Sequence, residues 1–322
     1  MFRRESVRRK SIQPRQEADS MMPMCTKIYV VYGDSEEFAL ERQMLWMDVL
    51  PELQNFAFNS DFDIEWIDPL SERGQFSEEM LEQMMNGILE ESSWLICLLG
   101  DKYGSIGPPT QIPKSEFEAI RAAVFEQSEG WFQRENVKVV KYSGTSVYFA
   151  IAEFRSLSDL KLLDQHYVLD RSGMEEEYRL NTHLEDAKQR MKLSKVVQKG
   201  AHSAFDGSQL TNDRQRRFFW SSLHKIAAVA LERNCRCTLV LRKFDDVRPD
   251  TGVNSTYCEK RSEAAEKIAK LKNQVSEKVD SKLVFSHIFT PENGDIGAFF
   301  TSREADKYRD TLQRQVRRNI SN

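Results

Sequence analysis

The chain has 322 residues, 40% of them hydrophobic and 30% charged, with 46 basic and 50 acidic side chains and a formal net charge of -4. That length admits one large domain or two ordinary ones, and the apolar share excludes a wholly disordered chain. The near balance of charge excludes an overall field that would attract nucleic acid or an anionic membrane. No stretch approaches the ~18 consecutive apolar residues of a spanning helix. The opening MFRRESVRRKSIQP has no apolar run behind its charges, so neither a membrane span nor a secretory signal is expected. Cys25, Cys97, Cys235, Cys237 and Cys258 are odd in number and scattered, which predicts reduced thiols in a cytoplasmic protein. Cys235-x-Cys237 with Cys258 falls outside common zinc spacings and no histidine follows nearby, so no metal is expected.

Residues 1–24 hold six basic side chains and little apolar material and read as a disordered basic arm. Within it, Ser6 and Ser11 each follow a pair of arginines and are candidates for phosphorylation. KIYVVYG (27–33) is β-branched and aromatic and predicts a buried strand, with Asp34 and Ser35 as capping residues behind it. Over 36–58, Phe38, Leu45, Val49, Leu53 and Phe56 draw one apolar stripe down a helix that Pro51 should bend or break. DIEWID (63–68) predicts a second strand, and 78–92 a helix with Met80, Leu81, Met84 and Ile88 inward. WLICLLG (94–100) is the most hydrophobic run and the natural central strand. A Gly- and Pro-rich loop follows, and Ser115 opens a helix reaching about Phe132, with Glu116 and Glu118 in its first turn.

SVYFAIAEF (146–154) reads as a fourth strand. Two consecutive helical patterns come next, at 175–198 and 213–234. CTLVLRKF (237–244) and KLVFSHIF (282–289) read as strands five and six, each followed by a helix, at 259–279 and 303–320. Alternating strands and helices predict an α/β fold: an open, mostly parallel, flavodoxin-like sheet of about six strands with a two-helix insertion. The expected division is an arm over 1–24 and an α/β domain over 25–322. Within that domain lie a core over 26–155, a helical insertion over about 156–234 and a closing β-α-β-α segment over 235–320.

Ligands of such sheets bind beyond the carboxyl ends of the strands. The residues expected to line a binding loop there are Asp34, Ser35, Asp68, Asp101, Tyr103 and Gly104. The chain contains no phosphate loop, HExxH, GxSxG or dinucleotide fingerprint, and its five histidines are widely spread. No cofactor is expected from the residues alone.

KIYVVYGDSEEFALERQMLWMDVLPEL resembles the opening of the TIR-like region that precedes the NACHT module in NACHT and WD-repeat proteins, with relatives among nephrocystin-like and telomerase-associated WD proteins. The similarity rests on Ala39 to Arg42 with Leu40 inserted, Val49 to Leu53, DIEWID, LLGDKYGSIGPP and SEFEAI. It continues collinearly through EGWF (129–132), RRFFWSSLHKIAAVAL, TLVLRKF and the last helix, over roughly 26–320. The chain departs from the family after Asp68, where PLSERG replaces a usual Trp-Gly step, and at SVYFAI, which replaces a usual VPxxYxL strand.

The resemblance implies a TIR-like fold and a signalling or scaffold role exercised through a protein partner or self-association. ATP or GTP would enter only through a NACHT module. The alternative is a TIR-type NAD glycohydrolase, with NAD as its cosubstrate and Glu116 or Glu118 as the helix-borne glutamate that stabilises an oxocarbenium-like centre. The enzymatic Ser-x-x-Trp-Cys-x-x-Glu stretch is replaced here by SEFEAI.

Overall fold

The computed structural model describes residues 24–68, 78–130, 137–142, 145–181, 186–245, 254–290, 296 and 302–321. The arm, with Ser6 and Ser11, lies outside the described residues. Five strands, β1 (Met24–Tyr32), β2 (Phe62–Ile67), β3 (Ser93–Leu99), β9 (Cys237–Phe244) and β10 (Val284–Phe289), form one sheet in the order β2-β1-β3-β9-β10. All four pairings are parallel. Counted along the chain this is the 2-1-3-4-5 order of doubly wound proteins, whose direction of winding reverses between β1 and β3.

Strand alternation divides the apolar residues between two faces. Ile28, Val30 and Tyr32 face one cluster while Tyr29 and Val31 face another. The first face is covered by α1 (Ala39–Met44), the π turn Leu45–Val49, α2 (Leu50–Phe58) and α11 (Arg303–Ser321), through Met44, Leu45, Val49, Leu53, Tyr308, Leu312 and Val316. The second is covered by α3 (Glu78–Gly87), α8 (Ser222–Glu232) and α10 (Ser262–Lys278), through Leu81, Met84, Leu223, Ile226, Ile268 and Leu271.

The α/β class and the open parallel sheet stand as expected, with five strands instead of six. SVYFAI is the strand that does not join: β6 (Thr145–Ala150) pairs antiparallel with β5 (Val137–Tyr142), and α5 (Ile151–His166) begins where the run was expected to stay extended. Segments adjacent in the chain can pair antiparallel with each other, and β5 and β6 do so instead of adding a sixth strand to the parallel sheet.

Four further expectations are corrected. Pro51 does not break the first helix: a π turn over Leu45–Val49 joins α1 to α2 and leaves Pro51 in the first turn of α2, where its missing N–H costs nothing. Past that turn Leu53 stays inward as expected, but the buried stripe continues to Ala57, four residues on, and Phe56, expected inward, is 42% exposed. EEEYRL is not helical, because β8 (Glu177–Leu180) sits between β4 (Gln111–Pro113) and β7 (Tyr167–Asp170) in an antiparallel sheet. The pattern at 213–234 is two helices, α7 (Asn212–Phe219) and α8, because Ser221 adopts an extended conformation and its hydroxyl accepts from the His224 N–H as an N-cap.

A third apolar cluster lies away from the main sheet. It joins Ile112, Phe117, Ile120 and Val124 to Leu163, Leu193, Val197, Phe205 and Phe218. It packs α4 (Lys114–Gly130) against α5 and α6 (Ala187–Ala204).

Candidate functional site at the carboxyl edge of the sheet

The winding reverses between β1 and β3, so the turns after these strands meet at one edge. They approach closely: a Cβ at Gly104, whose φ is +86°, would lie 2.7 Å from the Gly33 carbonyl oxygen. Only glycine fits both that conformation and that gap. Asp34 organises the first turn, its Oδ1 accepting from the Glu36 and Glu37 N–H groups at 2.9 and 3.3 Å. Its Oδ2 receives Lys102 Nζ from the second turn at 3.0 Å. Ser35 is partly buried beside it.

Glu37 is the pivot of this edge. Its Oε1 accepts from the Asp101 N–H at 2.7 Å and lies 3.7 Å from Nη2 of Arg242. A Cβ on Gly100 would stand 1.9 Å from the same oxygen, so Glu37 fills the space that any larger residue at position 100 would need. Arg242, on β9, donates to Glu41 and to the Glu37 carbonyl, and Tyr308 of α11 donates to Glu41 at 2.9 Å. Glu37, Glu41, Arg242 and Tyr308 are each only 1% exposed. Three polar atoms of this cluster, Glu37 Oε2, Glu41 Oε2 and Arg242 Nε, make no hydrogen bond. The guanidinium is held among the rings of Phe38, Phe244 and Tyr257, at 4.5, 5.1 and 5.5 Å from their centroids.

Burial dominates the electrostatics here. It pushes the Glu37 carboxyl up to about 8, against the opposing pull of Arg242 and the Asp101 N–H. The Arg242 guanidinium is also buried, yet Glu41 and Glu37 together raise its pKa above the ordinary value. Asp101 closes the edge from above: Oδ1 accepts Lys272 Nζ at 2.9 Å and Oδ2 accepts the Phe244 N–H at 3.3 Å.

The remaining candidates separate. Asp68, just past β2, accepts from Tyr32 Oη at 2.6 Å and from Arg42 Nε at 3.1 Å. Burial and the Asp68 bond both raise the Tyr32 phenol. Tyr103 turns inward, its hydroxyl 2.7 Å from His224 Nδ1. Burial, then Lys267 and Arg216, lower His224 to about 4, so the ring is neutral at neutral pH, and it stacks on Trp220 at 4.0 Å.

Glu116 does not reach this edge cluster. It lies in the first turn of α4, held by Arg214 at 2.9 Å and by Arg217. Glu118 is exposed on the same helix. Among the described residues no group of three His, Cys, Asp or Glu side chains is placed to hold a metal, and all five cysteines are free.

Sequence reasoning did not single out Glu37, Glu41, Arg242, Lys272 or Tyr308. One signal was available: alternation along LVLRKF puts Arg242 in phase with Val240 and Phe244, a cation at a core position. Such a residue requires buried partners, and Glu37, in the turn before α1, and Glu41, four residues on in α1, were the pair to look for.

The fold and edge together define a doubly wound α/β protein whose switch-point crevice is filled by its own ionic cluster. Comparison with protein-family models, with curated proteins and with solved structures gives no match to this chain.

Proposed function

We propose that this chain is an intracellular protein-interaction or scaffold module of the TIR-like kind that precedes NACHT in NACHT and WD-repeat proteins, with a protein or a second copy of itself as partner. The observation that carries this reading is the occupied carboxyl edge. Where doubly wound proteins hold a small ligand, Glu37, Glu41, Arg242 and Tyr308 hold one another. Surface chemistry supports it as well: Trp46 and Phe58, on the first helical segment, are 57% and 83% exposed, and aromatic residues are favoured contact residues of interfaces. Cytoplasmic placement belongs to the same proposal and rests on five free thiols. Among the described residues no helix is long and apolar enough to cross a membrane. ATP or GTP has a place in this reading only through a NACHT module.

The NAD glycohydrolase reading needs a glutamate free to face a sugar ring. Both oxygens of Glu116 are taken by arginines. The purified chain incubated with NAD is expected to release no nicotinamide. Release that disappears in Glu116→Ala or Glu118→Ala would replace the scaffold reading with the hydrolase. In sedimentation, the wild type is expected to associate with concentration and the double variant Trp46→Ser, Phe58→Ser to do so less. Identical behaviour of the two moves the contact surface elsewhere.

A further inference from the structure

The carboxyl edge is closed by its own side chains, but the opposite edge, where the strands begin, holds a cavity of about 440 Å³. That volume lies within the roughly 300 to 1,000 Å³ of small-molecule sites. Its apolar lining comes from the start of the sheet, with Phe62 and Ile64 of β2 and Trp94 of β3, and from two helices, with Leu53 and Phe56 of α2 and Ile320 of α11. Phe56 and Phe62 stand edge to face, their ring centroids 5.9 Å apart. Trp94 has already given its Nε1–H to the Thr238 hydroxyl at 3.0 Å, so its indole offers the cavity apolar surface alone.

Three polar side chains interrupt this lining: Thr26, Arg236 and Asn319. Asn319 is only 6% exposed, and its Nδ2 makes no hydrogen bond. Its Oδ1 accepts from Gln315 Nε2 at 3.5 Å, which settles which end of the amide is the donor. A buried donor without an acceptor is costly, and an oxygen in the cavity would remove that cost. Arg236, just before β9, is exposed and makes no ion pair among the described residues. Its carbonyl accepts from the Leu95 N–H at 2.9 Å, which ties the cation to the sheet edge. No acidic side chain stands among the described residues that line the cavity.

We propose that this cavity is a binding site for a small organic acid, with an apolar body among Phe56, Ile64 and Trp94 and a carboxylate that accepts from the Asn319 amide and pairs with Arg236. The two donors select the head group. A carboxylate has lone pairs for both and complements the guanidinium, whereas an amine would be repelled and an alcohol would leave the cation unpaired. The bond from Gln315 is at the limit of range, so the amide can turn its donor toward a bound oxygen at little cost. Burial of the apolar body supplies the remaining attraction. The site shares no residue with the Trp46 and Phe58 surface and stands if the partner reading fails.

Titration calorimetry of the full chain with octanoate and with phenylbutyrate, and with octanol as the uncharged control, tests the site. One of the two acids is expected to bind one to one and at least about tenfold more tightly than octanol, because a hydrogen bond to a charged group contributes more than one to a neutral group. Arg236→Gln, at an exposed position, is expected to weaken the acid about tenfold and to leave octanol unchanged. Asn319→Leu is expected to weaken the acid without lowering Tm, a combination that a purely structural role would not produce. Absence of saturable binding of either acid up to about 10 mM, equal affinity for acid and alcohol, or unchanged affinity in both variants overturns the proposal. Should Asn319→Leu not fold, the side-chain amide resonances of Asn319 in the wild type decide: a saturable shift on adding the acid supports the site, and no shift overturns it.

Discussion

Under the main sheet, Arg242, Glu37 and Glu41 sit inside an apolar cluster with Phe38, Phe244 and Tyr308, each sealed from water. In a second interior, from Ile112 to Phe218, the packed residues are aliphatic and aromatic, and Glu116, paired with Arg214, has its carboxylate 13% exposed. The two regions are therefore specified by different physics. The second interior is stabilised by buried area, which is forgiving of detail and indifferent to pH. The first adds a charge cluster that contributes little net stability but penalises any arrangement leaving a charge unpaired.

The sharpest contrast should come from one deletion in each region. Arg242→Ala strands two buried carboxyl groups and is expected to cost about 3 to 5 kcal/mol. Phe117→Ala opens a cavity in the second interior and is expected to cost a similar ~3 to 5 kcal/mol. Denaturant midpoints at two pH values separate them. The Arg242→Ala loss should vary with pH and the Phe117→Ala loss should not, and equal pH dependence would break the comparison.

A titration of wild-type stability comes next. The folded Glu37 carboxyl is raised from 4.5 to about 8, so the native state holds a proton that the unfolded chain gives up. Stability should therefore fall as pH rises from about 4.5 to about 8 and level off above, by a few kcal/mol at most. Glu37→Gln should remove that slope, and chemical denaturation across this range checks it.

Gly100→Ala is expected to destabilise by about 1 to 3 kcal/mol, because its Cβ collides with the Glu37 carboxyl. Combining it with Glu37→Ala should recover part of that loss, whereas strict additivity would show that the two groups do not share space. The smallest effect is expected from Glu116→Gln, about 1 kcal/mol or less, read from thermal midpoints.

Much of the sheet was legible because its code is local. KIYVVYG, DIEWID, WLICLLG, CTLVLRKF and KLVFSHIF are apolar runs of strand length bounded by turn residues, and all five became strands of one sheet. The reading failed where two elements competed for the same residues. EEEYRL has helix-forming composition, yet β4 and β7 recruit it into a sheet whose ladder outweighs intrinsic preference. Phe56 followed the helical period three residues past Leu53, but the buried stripe takes the other residue that the period allows, Ala57, four past it.

The candidate site divided in the same way. Asp34, Ser35, Asp68, Asp101, Tyr103 and Gly104 were expected at the carboxyl edge because each lies just past an expected strand, and Asp34 and Gly104 bridge the turns after β1 and β3. The inward turn of Tyr103 could not be read, since its partner His224 lies 121 positions away. Nor could the core of the site, where Arg242 meets Glu41 across 201 positions and Tyr308 meets it across 267.

The sequence by itself determined an alternating α/β chain, the strands of its parallel sheet and the edge at which their turns gather, because hydrophobic period and turn chemistry act over a few residues. The tertiary structure alone decided that this edge is filled, that one buried arginine faces two carboxyl groups, and that a glutamate there holds its proton near neutral pH. Those outcomes depend on which distant side chains share one water-free space, and desolvation acts on a charge only once the chain has closed around it.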